Sequence, residues 1–84
     1  MNTQEVITKA RGHIATMGKK SDEGVTSLSK REDGWTVCIE VVERKGIPDT
    51  MDILGLYEIS VNNEGDLLGI ERKKLRKRGD TADN

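Results

Sequence analysis

Two side chains of this 84-residue chain could take part in nucleophilic catalysis, Cys38 as the nucleophile and His13 as its base. An imidazole hydrogen-bonded to a thiol takes its proton and leaves the reactive thiolate. These are the only cysteine and the only histidine of the sequence, and no third group is placed to orient the imidazole. One thiol and one imidazole are also too few ligands for a zinc site. We therefore predict a protein without catalytic residues, cofactor or metal ion.

Five carboxylates lie near one another in the sequence: Glu40, Glu43, Asp49, Asp52 and Glu58. Such groups can act as general acid and base, but they more often cap turns or form ion pairs. Asp49 and Asp52 follow Pro48 in a turn-rich segment, where aspartate side chains commonly accept hydrogen bonds from the backbone. Arg44 and Lys45 are the nearest cations in sequence. We expect structural roles for these carboxylates, with those two cations as partners.

Residues 72–78 form a strongly basic run. Its cations are Arg72, Lys73, Lys74, Arg76, Lys77 and Arg78. A run of this kind can neutralise phosphates, so a small regulatory module that binds nucleic acid is the alternative hypothesis. Only Trp35 and Tyr57 could stack on bases, and the formal net charge of the chain is −1. We favour a solvated basic edge or a docking site for an acidic partner.

An amphipathic helix is predicted over residues 3–17. Its apolar face repeats at helical spacing through Val6, Ile7, Ala10, Ile14 and Met17. Asn2 and Glu5 have the spacing of a capping box at the helix start, and Gly18 is well placed to end the helix.

After this helix the period of the apolar residues changes to two, which is typical of strands. Turn signals at 32–34 and 62–65 divide two hairpins. The predicted strands are 25–31, 35–44, 53–61 and 66–74. The fold class is therefore α+β, with one N-terminal amphipathic helix packed on a four-stranded antiparallel β-meander. We predict one domain over residues 1–78 and a flexible C-terminal tail over residues 79–84.

One face of the sheet is predicted to pack against the helix. Its central strands contribute Trp35, Val37, Ile39, Val41, Ile53, Tyr57, Ile59 and Val61. The lengths of the two turns predict three cross-strand pairs on this face, which are Leu28 with Ile39, Leu68 with Ile59, and Ile70 with Tyr57.

The opposite face should be polar, yet apolar side chains collect at the end nearest the only proline. Because one helix cannot cover both faces, we predict a partner-binding patch there. Its residues are Val42, Ile47, Pro48, Asp49, Met51, Leu54 and Leu56. The alternative is that the connection between the second and third strands folds back and covers these side chains itself.

The composition is that of a small polar protein, with 33% hydrophobic and 35% charged residues. No stretch approaches the roughly 20 apolar residues of a transmembrane helix, and Met1–Thr3 lead into a polar pattern and not into an apolar leader. We expect a cytoplasmic protein without membrane insertion. A core this small supplies little stability, which favours a bound partner, with a homodimer as one option.

A series of short motifs runs in order through residues 33–78. They are Gly34-Trp35, the Glu-Val-Val-Glu of Glu40–Glu43, the Ile-Pro-Asp-Thr of Ile47–Thr50, the Asp-Ile-Leu of Asp52–Leu54, Tyr57-Glu58, the turn glycine Gly65, and Arg72. In identity, order and spacing these motifs resemble the gas vesicle protein O (GvpO) family. Two positions depart from the pattern, because Gly46 stands where members often have arginine and Leu75 where they often have an aromatic residue.

The resemblance implies a non-enzymatic accessory protein for the assembly of gas vesicles, the gas-filled protein shells that give aquatic microbes buoyancy. It implies other gas vesicle proteins as partners, accessory proteins first and the shell protein as a further option, and a location in association with the vesicle. It brings no catalytic residues with it.

Overall fold

The computed structural model describes residues 2–18 and 22–79. Its elements are helix α1 (Thr3–Thr16) and strands β1 (Asp22–Arg31), β2 (Gly34–Arg44), β3 (Ile53–Asn62) and β4 (Leu67–Lys77), with a 3-10 turn at Asp49–Met51. The strands pair antiparallel in the order β1-β2-β3-β4. The predicted α+β fold, one N-terminal helix on a four-stranded meander, is confirmed. Of the predicted tail, residues 80–84 lie outside the described part of the chain.

Helix α1 begins with the predicted capping box. The Asn2 side chain accepts a hydrogen bond from the Glu5 amide at 2.8 Å, and the Glu5 carboxylate accepts one from the Asn2 amide at 3.0 Å. Both bonds satisfy amides that have no partner within the helix. The helix ends at Thr16, and Gly18 follows with a φ of 85° and an amide bonded to the Ala15 carbonyl oxygen at 2.9 Å.

The core lies between α1 and the inner face of β2 and β3. Nine side chains there are at most 4% exposed, namely Val6, Ala10, Ile14, Val37, Ile39, Val41, Tyr57, Ile59 and Val61. Trp35 is half-buried and packs against this cluster from one side, with the Lys30 ammonium 5.3 Å from its ring centroid. Ile53 is half-buried but is not part of the cluster, and Met17 is 48% exposed beyond the end of the helix.

The turn signal at 32–34 predicts Asp33–Gly34 as the two-residue loop of the first hairpin, but the loop is Glu32–Asp33, one residue earlier. The pairing is thereby shifted by two residues, so Leu28 lies opposite Val37 and not opposite Ile39. Because side chains alternate between faces along a strand, a shift of two leaves Leu28 on the inner face, where it packs against the core.

The second hairpin also differs from its predicted register. Ile70 lies opposite Ile59 and not opposite Tyr57, and it packs against the core as expected. Leu68 falls where the pairing of β3 and β4 shifts by one residue, and it is 56% exposed. The predicted pair of Leu68 with Ile59 is therefore wrong, because a β-bulge removes this residue from the regular alternation.

A hydrogen bond connects α1 to the hairpin of β3 and β4. The His13 Nε2 donates to the Gly65 carbonyl oxygen at 3.0 Å, in the turn between β3 and β4. Cys38 is on the other side of the sheet, because its neighbours Val37 and Ile39 both face the helix. His13 and Cys38 are therefore separated by the sheet and do not form a nucleophile–base pair.

Gly34 begins β2 where the backbone of β3 comes very close. A Cβ atom at this position would overlap the Val61 carbonyl oxygen and lie 2.7 Å from the Asn62 Cα. The backbone of a paired strand cannot move away without losing its pairing. We therefore expect Gly34→Ala to lower the free energy of unfolding by more than about 2 kcal/mol in urea denaturation.

The matched control is Gly69→Ala in β4. A Cβ atom there would meet nothing within 4 Å, so we expect a change within about 0.5 kcal/mol. Equal stability of the two variants would contradict the close approach at Gly34.

Candidate functional site

The connection between β2 and β3, residues 45–52, is the candidate site. The Ile47–Pro48 peptide bond is cis, and the 3-10 turn follows at once. Within it the Met51 amide donates to the Pro48 carbonyl oxygen and the Asp52 amide to the Asp49 carbonyl oxygen, both at 2.9 Å. The connection is therefore an ordered turn with its own backbone hydrogen bonds.

Asp52 fixes this connection to the end of β4. Its side chain is 1% exposed and accepts from the Gly46 amide at 2.6 Å and from the Arg78 Nη2 at 3.0 Å. Two backbone bonds run alongside, from the Arg78 amide to the Asp52 carbonyl oxygen at 2.8 Å and from the Gly79 amide to the Thr50 carbonyl oxygen at 2.9 Å. A buried carboxylate needs such partners, because an unpaired buried charge is strongly unfavourable.

These contacts also change the acidity of Asp52. The hydrogen bond from the Gly46 amide is the largest cause that lowers the pKa of this carboxyl below its ordinary value of 3.8. Burial acts in the opposite direction, while the hydrogen bond and the charge of Arg78 lower the pKa further. The ionised form is therefore favoured in the folded protein.

The residues predicted to form the partner-binding patch differ widely in exposure. Ile47 (98%), Pro48, Asp49 and Met51 (47%) are exposed on the connection, while Val42 and Leu56 are half-buried on the strands and Leu54 is 2% exposed. The prediction of an exposed patch is therefore wrong for Leu54. The exposed residues of the predicted patch are all on the connection, and we call Ile47, Pro48, Asp49 and Met51 the connection surface.

An ion pair crosses the sheet beside Leu54 and Leu56. Arg76 lies beside Leu54 in the pairing of β3 with β4, and Glu40 lies beside Leu56 in the pairing of β2 with β3. The guanidinium of Arg76 makes two hydrogen bonds to the Glu40 carboxylate, at 2.8 and 3.0 Å. Since β3 lies between the two strands, the arginine side chain passes over its leucines, and its methylene groups cover them.

Three further cations of the basic run also form ion pairs. The ion pairs are Arg72 with Glu43 at 3.8 Å, Lys73 with Glu58 at 3.8 Å and with Glu71 at 3.3 Å, and Arg78 with Asp52 at 3.0 Å. Four of the five carboxylates, Glu40, Glu43, Asp52 and Glu58, thus form ion pairs with cations of β4 or its end, where Arg44 and Lys45 were the expected partners. Lys74 and Lys77 have no carboxylate within ion-pair distance among the described residues.

A polar cluster lies at the edge of the core on the inner face. The Tyr57 hydroxyl donates to the Glu43 carboxylate, which is 12% exposed and lies near the Arg72 guanidinium. A Cβ atom at Gly55 would be 2.6 Å from Glu43 Oε2, so the glycine makes room for the acid. Leu75, opposite Gly55, is 48% exposed. Glu43 therefore fills the space that Gly55 leaves beside the core. A glycine within an apolar strand often marks such a close approach, so Gly55 was the sequence signal for this contact.

The described ranges, 2–18 and 22–79, do not bring a set of metal ligands together. No group of three or more His, Cys, Asp or Glu side chains is arranged there to hold a metal ion. Over the same ranges, no helix has both the length and the apolar character needed to cross a bilayer. Trp35 and Tyr57 both lie on the inner face, as predicted, and Tyr57 is only 4% exposed.

The fold and the site together define a small α+β protein whose charged side chains fasten its strands and whose open apolar side chains project from a fixed connection. Residues 1–82 match the family model described as gas vesicle synthesis protein GvpO, and the chain belongs to that family.

Three curated relatives carry names of the same kind. The chain is 38% identical to gas vesicle protein O1 of Halobacterium salinarum, 36% identical to gas vesicle protein O of a Streptomyces species and 41% identical to gas vesicle protein O of Haloferax mediterranei. The alignments cover 87%, 88% and 69% of this chain, and 61%, 58% and 42% of those proteins. The chain thus spans about three-fifths or less of the relatives' length. No solved structure matches it.

The lowered pKa of Asp52 predicts how stability depends on pH. A carboxyl whose pKa is lower in the folded state contributes fully above its unfolded value and loses that contribution as pH falls through the folded value. Asp52→Asn should therefore be less stable than the wild type at pH 7. The difference should shrink as pH falls below the ordinary value of 3.8, in urea unfolding at several pH values.

Asp49→Asn is the matched control, because Asp49 is an exposed acid of the same connection. It should follow the wild type at every pH. A stability gap for Asp52→Asn that stays constant down to the acid limit of folding would contradict the proposed role of the Asp52 carboxylate.

Proposed function

We propose that this protein is a non-enzymatic accessory factor of gas vesicle assembly that binds other gas vesicle proteins through the connection surface. Family membership supports the process. The proposed binding mode is supported by the exposure of Ile47. This side chain is 98% exposed on a connection that Asp52 holds in place. The partners are accessory proteins and, as a further option, the shell protein. The matching location is cytoplasmic and associated with the vesicle.

Ile47 leaves a large apolar side chain in water. Burying an isoleucine side chain contributes about 1.5–3 kcal/mol, and this contribution is not used within the chain. Because Asp52 and the 3-10 turn already order the connection, a partner would not have to supply the free energy of ordering it. Exposed apolar side chains on an ordered turn are suited to insertion into a pocket on another protein.

The alternative, binding of nucleic acid through residues 72–78, has less support. Four of its six cations are in ion pairs with carboxylates of the same chain, and both aromatic side chains are on the inner face. At those four cations a phosphate would have to displace a carboxylate before it could bind.

Ile47→Asp should abolish binding while leaving the fold intact, because the side chain contacts almost nothing within the chain. The measurement is vesicle formation in a gas-vesicle-producing host that lacks its own copy of the gene, complemented with each variant. We expect few or no vesicles with Ile47→Asp and a normal unfolding temperature of the purified variant. Normal vesicle numbers with this variant would contradict the proposal.

Two methionines of nearly equal exposure test whether the connection surface matters, or only the loss of an exposed apolar side chain. Met51 and Met17 are 47% and 48% exposed, on the connection and beyond the helix end respectively. Met51→Gln should reduce vesicle formation, whereas Met17→Gln should not. Equal defects would show that loss of any exposed methionine, and not the connection surface, explains the effect.

The alternative function, nucleic-acid binding, predicts a different experimental result. If the basic run binds nucleic acid, the protein should bind duplex DNA or RNA at low salt, and Lys74→Ala with Lys77→Ala should weaken that binding. We expect no binding in fluorescence anisotropy at about 20 mM NaCl with the protein at tens of micromolar, because most cations of the run are already paired. The weakest nonspecific affinity of interest is a dissociation constant on the order of 100 µM. Binding that falls steeply with salt and is lost in the double variant would favour the alternative.

A further inference from the structure

Large exposed apolar side chains occur at both ends of the sheet. At the end that carries the connection they are Ile47 and Met51, which are 98% and 47% exposed. At the other end, beside the turn between β3 and β4, they are Leu67 and Leu68, which are 44% and 56% exposed. We call residues 30–34 and 62–68 the turn end. Strand β3 has ten residues, which at about 3.3 Å per residue places the two ends about 30 Å apart.

The two ends carry charges of opposite sign. The segments 44–52 and 77–79, which we call the connection end, hold four cations and two carboxylates, namely Arg44, Lys45, Lys77 and Arg78 against Asp49 and Asp52. The turn end holds four carboxylates and two cations, namely Glu32, Asp33, Glu64 and Asp66 against Lys30 and Arg31. Lys30 is directed into its own turn, where its ammonium donates to the Arg31 carbonyl oxygen at 2.7 Å. The acidic groups of the turn end are all exposed.

The edges of the sheet are poorly suited to pairing with another strand. Both β1 and β4 contain two irregularities in their pairing, and bulges twist an edge away from a flat partner. Two β4 edges would also bring their cations together, and like charges that face each other across strands are unfavourable. Contact between the ends of the sheet avoids both problems.

We infer that the turn end of a second copy of this chain docks on the connection surface, in a head-to-tail arrangement. Leu67 and Leu68 of one copy meet Ile47 and Met51 of the next, with acidic groups on one side of the contact and cations on the other. The inference rests on the proposed function in that it uses the connection surface, and it names a partner for it. A head-to-tail contact leaves one free end on each terminal copy, so further copies can add.

The contact area is small, so the association is weak and depends on concentration. Interfaces below about 1,200 Å² of total buried surface are typical of transient contacts. Charges at the rim are screened by salt, since the Debye length is about 10 Å at 0.1 M and about 3 Å at 1 M. In sedimentation velocity the weight-average mass of the wild type should rise with protein concentration, and the rise should be smaller in 1 M NaCl.

The decisive experiment mixes two variants that each disable one end. Ile47→Asp keeps an intact turn end, and Leu68→Asp keeps an intact connection surface. Each alone should remain a monomer at concentrations where the wild type associates. An equimolar mixture should form a 1:1 dimer that does not grow, because only one pair of intact ends is present.

Leu75→Asp is the control, because Leu75 is 48% exposed on β4 and is not among the residues that define either end. It should associate as the wild type does, and all three variants should keep the wild-type circular dichroism spectrum. Association of Leu68→Asp alone would instead indicate a symmetric dimer through the connection surface and overturn the head-to-tail inference. A wild type that stays monomeric up to about 1 mM, the weak limit of a useful affinity, would also overturn it.

The two proposals fail in different ways. If Ile47→Asp prevents vesicle formation while the wild type never self-associates, the connection surface binds another gas vesicle protein and only the head-to-tail inference fails. If the variant mixture forms the dimer while Ile47→Asp supports normal vesicles, the surface mediates self-association and the proposed function fails.

Discussion

The buried carboxylate of Asp52 is the constraint on which the candidate site depends. Its two oxygens accept from the Gly46 amide and the Arg78 guanidinium, so one side chain closes the connection and fastens it to the end of β4. An acid that is 1% exposed is stable only with such partners. This side chain holds the base of the connection, on which Ile47 is 98% exposed.

Ion pairs between strands extend this principle over the rest of the sheet. Arg76 reaches across β3 to Glu40 and covers Leu54, which otherwise would lie open on a face that no helix protects. An exposed ion pair alone contributes little to stability, but one with two parallel hydrogen bonds and covered apolar surface contributes more. A chain with 35% charged residues can in this way protect the outer face of its sheet without a second helix. Four of the large apolar side chains that remain exposed are on the connection and the turn end, namely Ile47, Met51, Leu67 and Leu68.

The sequence predicted the fold well because period, capping and turn residues all act locally. The capping box of Asn2 and Glu5, the inner face of β2 and β3 and the order of the strands all follow from such signals. Register was harder, since Leu68 sits at a bulge that no pattern of alternating residues reveals. The site was predicted only in part. The patch included Leu54 because alternation places it on the outer face, but its cover comes from Arg76, 22 positions further along the chain, and that contact exists only once β3 and β4 have paired.

Amide hydrogen exchange at Gly46 tests the central claim, that the Asp52 carboxylate fixes the connection, most directly. The Gly46 amide is 2.6 Å from Asp52 Oδ1. We predict that this amide exchanges more slowly than a free peptide amide, and that the protection is lost in Asp52→Ala while the amides of β2 and β3 stay protected. Exchange of Gly46 at the free-peptide rate in the wild-type protein would contradict the account.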